Sequence, residues 1–355
     1  MSNRQIKVTF RTLTPLWTGD AWGDNKEIRP SSIIGSLRFW FEVICYFAGV
    51  TSNKNYDDKG KLNDNLDEKS FKEKVLNNGL DFARIDKALA ECKISLPSRV
   101  LGCTGWKGWV RIKKVEFKKD NFKEDLKGRI IKNKNWFWGS PYYEGKFKIT
   151  FELEDKILEP IFYPLLTFIE RYGFLGGKWN IGYGRVKIES IDDDLWNEFK
   201  NKNDNEIDFE NFKKLHELIV IENNFSASTQ SYEFLKYFFN VNSFYCFNER
   251  DFQKKVSNIP RNIRIVKLND NFSDFKNAIQ ELLKIKAKMR YCLRPNNSIV
   301  DKEDWNNFRH RLLGTTSNGL EGTKIIPWIY EENNQLKGGF VSIAGIIGLG
   351  GNYEV

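Results

Sequence analysis

The first 191 residues alternate between stretches with the period of a β-strand and stretches with the period of an α-helix, and this order restricts the fold more than any other feature of the chain. Apolar and polar side chains alternate in the strand-like stretches, whereas apolar side chains recur every three or four residues in the helix-like ones. The predicted strands are residues 5–14, 110–117, 146–153 and 185–191, and the predicted helices are residues 31–47 and 157–172.

An order of strand, helix, strand, strand, helix, strand is typical of the ferredoxin-like βαββαβ arrangement. Such a domain has an antiparallel four-stranded sheet with both helices on one face, so the sequence predicts an α+β fold. The other face of the sheet is then free to meet a ligand, and RNA-recognition domains use it in this way.

Polar insertions interrupt this pattern. Residues 51–70 and 118–135 are rich in charged side chains and Asn, and we expect both to be solvated excursions from the domain. Residues 71–92 show short helical patterns between them. The acidic, Asn-rich residues 192–212 are expected to be a linker.

The second half of the chain is predicted to repeat the fold of the first. Residues 99–105 read RVLGCTG, and residues 311–317 read RLLGTTS at an offset of 212 residues. The same offset brings the first predicted strand onto a strand candidate at 217–222. Further candidates are a helix at 271–290 and strands at 325–330 and 338–347. We therefore expect tandem ferredoxin-like (RRM-like) domains at 1–195 and 213–355, the second shorter or rearranged.

Charge and composition narrow the functional class. The chain has a formal net charge of +9, which favours an anionic partner such as nucleic acid. A composition rich in Lys and Asn would by itself give a similar excess, so charge alone leaves the question open. Five Cys without a CxxC pair, and only two His, argue against a disulfide framework and against a zinc site. Without a signal-like or membrane-spanning stretch, a cytoplasmic protein is expected.

The first predicted helix carries a polar stripe along an otherwise apolar surface. Ser31, Gly35, Arg38 and Glu42 fall on one line of the helix. Arg38 and Glu42 could form a surface ion pair. Alternatively, Arg38 could bind a phosphate where Gly35 allows close approach, with Arg29 just upstream as a second cation.

Three aromatic residues follow each other on the same helix, at positions 39–41. They cannot all face one way, so at least one points away from the main core. Core packing is the ordinary role for each, and stacking of Trp40 on a nucleobase is the functional alternative.

Residues 99–111 (RVLGCTGWKGWVR) interleave cations and aromatic rings with glycines, which is a combination suited to single-stranded RNA. The candidates are Arg99, Trp106, Lys107 and Arg111. An ordinary strand edge with turn glycines would have the same composition.

Residues 173–185 (GFLGGKWNIGYGR) form a turn with five glycines that can present backbone N–H groups to a phosphate. Lys178, Trp179 and Arg185 lie in it. Neither a Walker A sequence nor a dinucleotide-binding fingerprint is present, so no nucleotide cofactor is predicted. The turn could also be a plain connection from a helix to a strand.

Acidic residues near the first loop, Asp20, Asp24 and Glu27, could hold Mg²⁺ or act as a general base, although carboxylates in polar loops are usually just solvated. In the second half, His310 lies between Arg309 and Arg311 and is expected to be neutral beside these cations.

Residues 14–20 (TPLWTGD) and 27–42 (EIRPSSIIGSLRFWFE) closely resemble the N-terminal signature of the RAMP superfamily. More narrowly, they resemble the family of the first RAMP subunit of the Cmr (type III-B) CRISPR effector complex. The segments 101–108 and 182–185 fall where this family carries its other motifs, and the second half matches mainly through 311–316. The resemblance implies two ferredoxin-like domains in a subunit near the 3′ end of the guide RNA that helps to engage target RNA.

The resemblance also implies that other subunits perform the chemistry: a filament-forming RAMP subunit cleaves the target, and a large polymerase-like subunit makes the nucleotide signal. RAMP nucleases that mature guide RNA tend to place a catalytic His near the start, whereas this chain has no His before His216. This difference argues against endonuclease activity.

These observations predict a non-catalytic RNA-binding subunit, without cofactor or metal, whose partners are guide RNA, target RNA, other RAMP subunits and the large polymerase-like subunit. We expect separated cations of the first half to converge on one groove. The predicted RNA-binding residues are Arg29, Arg38, Trp40, Arg99, Trp106, Lys107, Arg111, Lys178, Trp179, Arg185, Arg309, His310 and Arg311. A metal-dependent ribonuclease using Asp20 and Asp24, and a structural adaptor that holds neighbouring RAMP subunits, are the alternatives.

Overall fold

The structure is a computed structural model, and it describes residues 3–20, 22–47, 50–51, 62, 64–78, 80–124, 126–131, 134–138, 141–202, 256–257, 265–292, 313, 323 and 325–341. Within these residues the chain combines helices with antiparallel sheets, which confirms the predicted α+β class. The strand predicted at 217–222 and the candidates Arg309, His310 and Arg311 lie outside the described residues, as does most of the repeat at 311–317.

The elements follow the predicted order over the first half, with additions. The helices are α1 (Pro30–Phe47), α2 (Glu68–Asn78), α3 (Phe82–Glu91), α4 (Leu96–Leu101), α5 (Tyr163–Arg171), α6 (Asp194–Lys202) and α7 (Phe275–Cys292). The strands are β1 (Asn3–Thr12), β2 (Val110–Phe117), β3 (Phe122–Lys123), β4 (Leu126–Ile131), β5 (Lys134–Trp138), β6 (Tyr142–Tyr143), β7 (Lys146–Glu154), β8 (Val186–Asp192), β9 (Val256–Ser257), β10 (Ile265–Phe272), β11 (Ile326–Glu332) and β12 (Gln335–Val341).

The first sheet has the strand order β2–β7–β1–β8, and all its neighbours are antiparallel. Alternation in β1 buries Ile6, Val8 and Phe10 on one face, and Val8 lies opposite Ile149 of β7. Helices α1 and α5 pack in the same hydrophobic core as this face. The other face carries exposed polar side chains such as Lys7, as expected for a sheet that is covered on one side.

Two polar segments contain more regular structure than the sequence predicts. The excursion at 118–135 includes β3, β4 and the start of β5, which pair as short ladders with β6 and with each other. The predicted linker at 192–212 begins with α6, because Trp196 and Phe199 pack on Tyr163 with ring centroids 5.1 and 5.4 Å away. Two aromatic side chains on one helix face are enough to dock a segment that is otherwise polar.

Helix α4 was missed because its six residues are too few to show a period. The helix begins after Ser95, whose backbone N–H donates to the Asp64 carboxylate at 3.1 Å, and Pro97 occupies one of its first two positions. Proline is favoured there because the first helical N–H groups have no intrahelical partner.

The predicted helix at 157–172 is only partly α-helical. A 3₁₀ turn at Asp155–Ile157 and a π turn at Leu158–Phe162 precede α5. Pro160 and Pro164 lie at this entry, and each lacks the N–H that a regular α-helical ladder would require there.

The second sheet has the order β11–β12–β10–β9 and packs against α7. It contacts the first half through β11, where Trp328 donates its indole N–H to the carbonyl of Arg171 at 3.1 Å. Glu331 pairs with Arg11 at 2.8 Å and also with Lys187.

The predicted domain limits at 195 and 213 stay a prediction, although α6 continues the first half to Lys202. None of the described helices has the length and apolar character needed to cross a membrane.

Candidate functional site

Three segments that the sequence singled out meet at one cleft of about 290 Å³. They are the loop after β1, the N-terminal half of α1 and the glycine-rich turn between α5 and β8. The lining residues are Trp17, Ser32, Gly35, Ser36, Phe39, Gly176, Gly177 and Trp179.

The loop after β1 is held by a buried asparagine. Asn25 accepts a hydrogen bond from the backbone N–H of Thr18 at 2.9 Å, and its amide donates to the carbonyl of Pro141 at 2.8 Å. The Thr18 hydroxyl in turn donates to the carbonyl of Glu27 at 2.9 Å. Because these hydrogen bonds hold the loop in one conformation and attach it to Pro141, Trp17 is fixed at the wall of the cleft.

The glycine-rich turn is attached directly to α1 and to Trp17. The backbone N–H of Gly176 donates to the Ser36 hydroxyl at 2.8 Å, and that of Gly177 donates to the carbonyl of Trp17 at 2.7 Å. Gly176 has φ +74°, and a Cβ there would lie 2.2 Å from the Trp17 carbonyl oxygen. Glycine is therefore required at this position by both conformation and space.

Gly35 is different, because no atom lies within 4 Å of the place where its Cβ would be. It is exposed in the middle of α1, and its φ is not in the left-handed region. A glycine in a helix interior costs roughly 0.5–1 kcal/mol relative to alanine. Nothing within the described chain compensates for this cost, and the missing side chain leaves the cleft open.

Aromatic rings form one wall of the cleft. Trp179 stacks on Trp40 at 5.5 Å with an interplanar angle of 22°, and Phe39 meets Trp179 edge-on at 5.1 Å. Trp40 lies behind them and is completely buried. Lys178 places its ammonium 5.0 Å from the centre of the Trp17 ring, so a positive charge lies beside this lining residue.

The acidic residues of the loop are engaged in holding it. The Asp20 carboxylate accepts hydrogen bonds from the backbone N–H groups of Trp22 (2.9 Å) and Asp24 (3.0 Å), and from Arg29 at 3.1 Å. Asp24 pairs with Lys26 at 3.1 Å. In the described part of the chain, no three His, Cys, Asp or Glu side chains are grouped as metal ligands.

The sequence of residues 9–187, slightly more than half of the chain, matches the RAMP superfamily. The chain is a member of the RAMP superfamily. The matched range contains all the segments that build the cleft. No curated protein sequence matches the chain.

Several solved structures align with this one at low sequence identity. Cmr1 from Pyrococcus furiosus (apo form) is 11% identical, with a TM-score of 0.42, over 96% of this chain and 88% of that one. A chain of the type III-B Cmr-beta complex bound to cognate target RNA is 12% identical, with a TM-score of 0.42, over 98% of both chains. Cmr6 from Pyrococcus furiosus is 15% identical, with a TM-score of 0.28, over 53% of this chain and 99% of that one.

Three residues predicted to bind RNA are buried in this RAMP fold, and their assignment is corrected. Trp40 donates its indole N–H to the carbonyl of Phe174 at 3.1 Å and lies in the core. Arg185 is completely buried, and its guanidinium donates only to backbone carbonyls. Arg99 is 3% exposed and pairs with Asp86 at 3.4 Å, while burial lowers the pKa of its guanidinium. Each therefore has a structural role.

Arg38 forms the ion pair that was the alternative to phosphate binding. Its guanidinium contacts the Glu42 carboxylate at 2.6 Å and the Ser98 hydroxyl at 2.9 Å, and it also donates to the carbonyl of Gly102. Burial raises the pKa of Glu42, and the hydrogen bond from Arg38 opposes this effect. Arg38 therefore joins α1 to α4, and the groove expected to unite it with Lys107 and Arg185 is not formed, since Arg185 lies in the core.

The other candidates from residues 99–111 lie away from the lining of the cleft. Trp106 donates its indole N–H to the carbonyl of Arg99 at 2.8 Å and packs edge-on against Trp109. Arg111 pairs with Glu152 at 2.5 Å. Lys107 is exposed. Among the predicted residues that the structure describes, Trp179 is thus the one in the cleft lining, with Lys178 adjoining it.

Sequence reasoning missed Trp17, Ser32 and Ser36 as site residues. Ser32 and Ser36 lie one turn apart on α1, and Ser36 reaches the glycine-rich turn 140 residues further along the chain. All three fall inside the segments that resemble the RAMP signature, which is the one signal that could have found them.

Proposed function

We propose that this RAMP protein is a non-catalytic RNA-binding subunit of a type III-B CRISPR (Cmr) ribonucleoprotein, which contacts the guide RNA near its 3′ end and helps to capture target RNA. The observation that carries the proposal is the cleft itself. Residues of the RAMP signature and of the glycine-rich turn, far apart in sequence, converge on aromatic rings, an open glycine and a lysine. This is the chemistry that binds single-stranded RNA.

The proposal includes the fold. A βαββαβ path gives an antiparallel sheet in which the third strand lies between the second and the first, with the fourth on the far side of the first. The order β2–β7–β1–β8, with α1 after β1 and α5 after β7, has this pattern. We propose that residues 256–341 belong to a second domain of the same type, with RNA following the surface near the cleft.

The phosphate contacts that remain in the proposal come from cations near the surface. Lys107 is exposed, and Arg29, Arg111 and Lys178 are partly exposed. Arg309, His310 and Arg311 stay predictions for the second half. Guide RNA, target RNA, other RAMP subunits and the large polymerase-like subunit are the proposed partners, and a cytoplasmic location is part of the same proposal.

The Lys178→Gln variant tests RNA binding by the cleft. We expect weaker binding of single-stranded RNA and a salt dependence reduced by about 0.7 in slope, because one phosphate contact releases about this many counterions on a single strand. Fluorescence anisotropy over a salt series measures both quantities. Lys72→Gln on α2, where Lys72 pairs with Glu68 at 3.5 Å, is the matched control. Equal affinity and slope in both variants would remove Lys178 from the RNA surface.

The absence of catalysis is tested with labelled RNA and Mg²⁺. We expect no cleavage by the purified protein and no difference for Asp20→Asn, because the Asp20 oxygens already accept three hydrogen bonds within the loop. Product analysis on a denaturing gel provides the measurement. RNA cleavage that disappears in Asp20→Asn would instead identify a metal-dependent ribonuclease.

A further inference from the structure

The glycines that line the cleft divide into two kinds. Gly176 and Gly177 adjoin Trp17, and a Cβ at Gly177 would lie 2.7 Å from the Trp17 ring. Close packing against Trp17 therefore explains why both positions are glycine. Gly35 has open space where a Cβ would be, so packing within the described chain does not explain its missing side chain.

The ring wall opposite this opening is rigid. Trp179 packs against Trp40 and Phe174, with ring centroids 5.5 and 5.9 Å away and interplanar angles of 22° and 30°. Phe39 packs edge-on against both Trp179 and Trp40. Because these side chains are already packed against one another, they would lose little conformational entropy when a planar ligand stacks on them.

The hydroxyl groups of the cleft already have partners. Ser36 donates to the carbonyl of Ser32 at 2.9 Å and accepts from the N–H of Gly176. Ser32 donates to the carbonyl of Thr18 at 3.2 Å. The indole N–H groups of Trp17 and Trp179 have no hydrogen-bond partner among the described residues, but both are buried, so the surface that the lining presents is mainly that of the rings. This favours a ligand recognised by its flat face.

The volume sets the size of the ligand. A cleft of about 290 Å³ is at the lower end of the range of roughly 300–1,000 Å³ for small-molecule sites. The cleft has room for one nucleobase but not for several stacked nucleobases. Lys178, adjacent in sequence to two lining residues, supplies a cation for the phosphate attached to that base.

We propose that the cleft receives a single unstacked nucleobase of the bound RNA, over Gly35 and against Trp179 and Phe39, and that it accepts any of the four bases. This inference rests on the proposed RNA-binding function and adds the ligand and its mode of recognition. Base tolerance follows because stacking uses the π-face that all bases share, whereas discrimination needs hydrogen bonds to base edges.

The Gly35→Leu variant is designed to fill the cleft from a position where an added Cβ has open space, and leucine is a better helix former than glycine. Ser31→Leu is the matched control, because it adds the same side chain one turn away, outside the lining, and helical side chains lean toward the N-terminus and so away from Gly35. Gly35→Gln provides a second blocking variant with a soluble side chain. Circular dichroism confirms folding of all three.

The probe is a single-stranded oligouridylate, unmodified for anisotropy and with 5-iodouridine at every position for photocrosslinking. We expect crosslinks at Trp17, Phe39 or Trp179 in the wild type and in Ser31→Leu. In Gly35→Leu and Gly35→Gln these crosslinks should disappear, and the affinity should fall about 5–150-fold, which corresponds to the stacking of one base. Oligoadenylate should bind with similar losses in the blocked variants.

Several results would overturn the inference. RNA binding with crosslinks only elsewhere, or with affinity unchanged in both blocked variants, refutes the base site and leaves the proposed function standing. Loss of a co-purifying protein subunit in Gly35→Leu, with RNA binding intact, would make the cleft a protein-docking site. A wild-type protein that binds no RNA at low salt would refute the proposed function, and the base site with it.

Discussion

Replacement of Arg185 by alanine is expected to lower the free energy of unfolding by at least about 4 kcal/mol, which is among the largest effects of a single substitution. Arg185 donates all five of its N–H groups to backbone carbonyls. The acceptors are the carbonyls of Ile169, Glu170, Arg171, Gly173 and Ile329. Three of these carbonyls lie in the last turn of α5, where they have no helical partner, and Gly173 follows just beyond its end.

The guanidinium therefore closes the end of α5 and joins it to β11, which supplies the carbonyl of Ile329. Its charge also interacts favourably with the negative end of the helix dipole. Burial lowers the pKa of Arg185 to about 9, which still leaves the group protonated at neutral pH. In Arg185→Ala the five carbonyls would be buried without donors, and each such group is costly.

Urea denaturation of wild type, Arg185→Ala and Arg185→Lys measures this effect. Lysine keeps the charge but has three donors on one nitrogen, so it cannot reach carbonyls on both sides of a planar fork. We expect an intermediate stability for Arg185→Lys. If Arg185→Ala were as stable as wild type but failed to bind RNA, Arg185 would return to the list of RNA contacts.

Replacement of Trp40 by alanine is expected to cost about 3–5 kcal/mol of stability, as for other large aromatic side chains in a core. Trp40 is completely buried and its ring contacts Phe39, Phe168, Phe174 and Trp179. The alanine variant would leave a cavity behind the ring wall of the cleft. Thermal and urea unfolding measure the loss.

Trp40→Phe is the control for this substitution. It keeps an aromatic ring in the core and removes the indole N–H, so the carbonyl of Phe174 loses its donor and the cost falls to roughly 1–3 kcal/mol. RNA binding by Trp40→Phe should match wild type at temperatures where both are folded. A stable Trp40→Phe protein with impaired RNA binding would contradict a purely structural role for Trp40.

The strands and helices of the first half could be predicted because their side chains repeat with the period of the element. In β1, alternation places Ile6, Val8 and Phe10 on the buried face, and this pattern is visible without any knowledge of the neighbours. The same reasoning failed for α4 and α6. Helix α4 is too short to show a period, and α6 depends on Tyr163, a residue more than 30 positions earlier.

The candidate site could be predicted only as a set of segments. The resemblance of residues 14–42 to the RAMP signature, and the glycines of residues 173–185, identified the parts of the chain that form the cleft. The sequence could not show which side chain in each segment faces the cleft. Arginine is a common RNA contact, yet Arg38, Arg99 and Arg185 all have partners inside the protein. Apart from Glu42, which lies one turn from Arg38, those partners are distant in sequence.

The amino-acid sequence by itself determined the α+β class, the order of the main elements and the membership of a family, because periodicity and a long motif are local properties of the chain. Only the tertiary structure decided that Trp40 and Arg185 are interior residues and that Gly35 opens onto a cleft. Burial depends on which distant groups come together, such as Ser36 with Gly176 and Arg185 with Ile329. A charge or a ring can be assigned to a ligand only after the protein's own donors and acceptors have been matched.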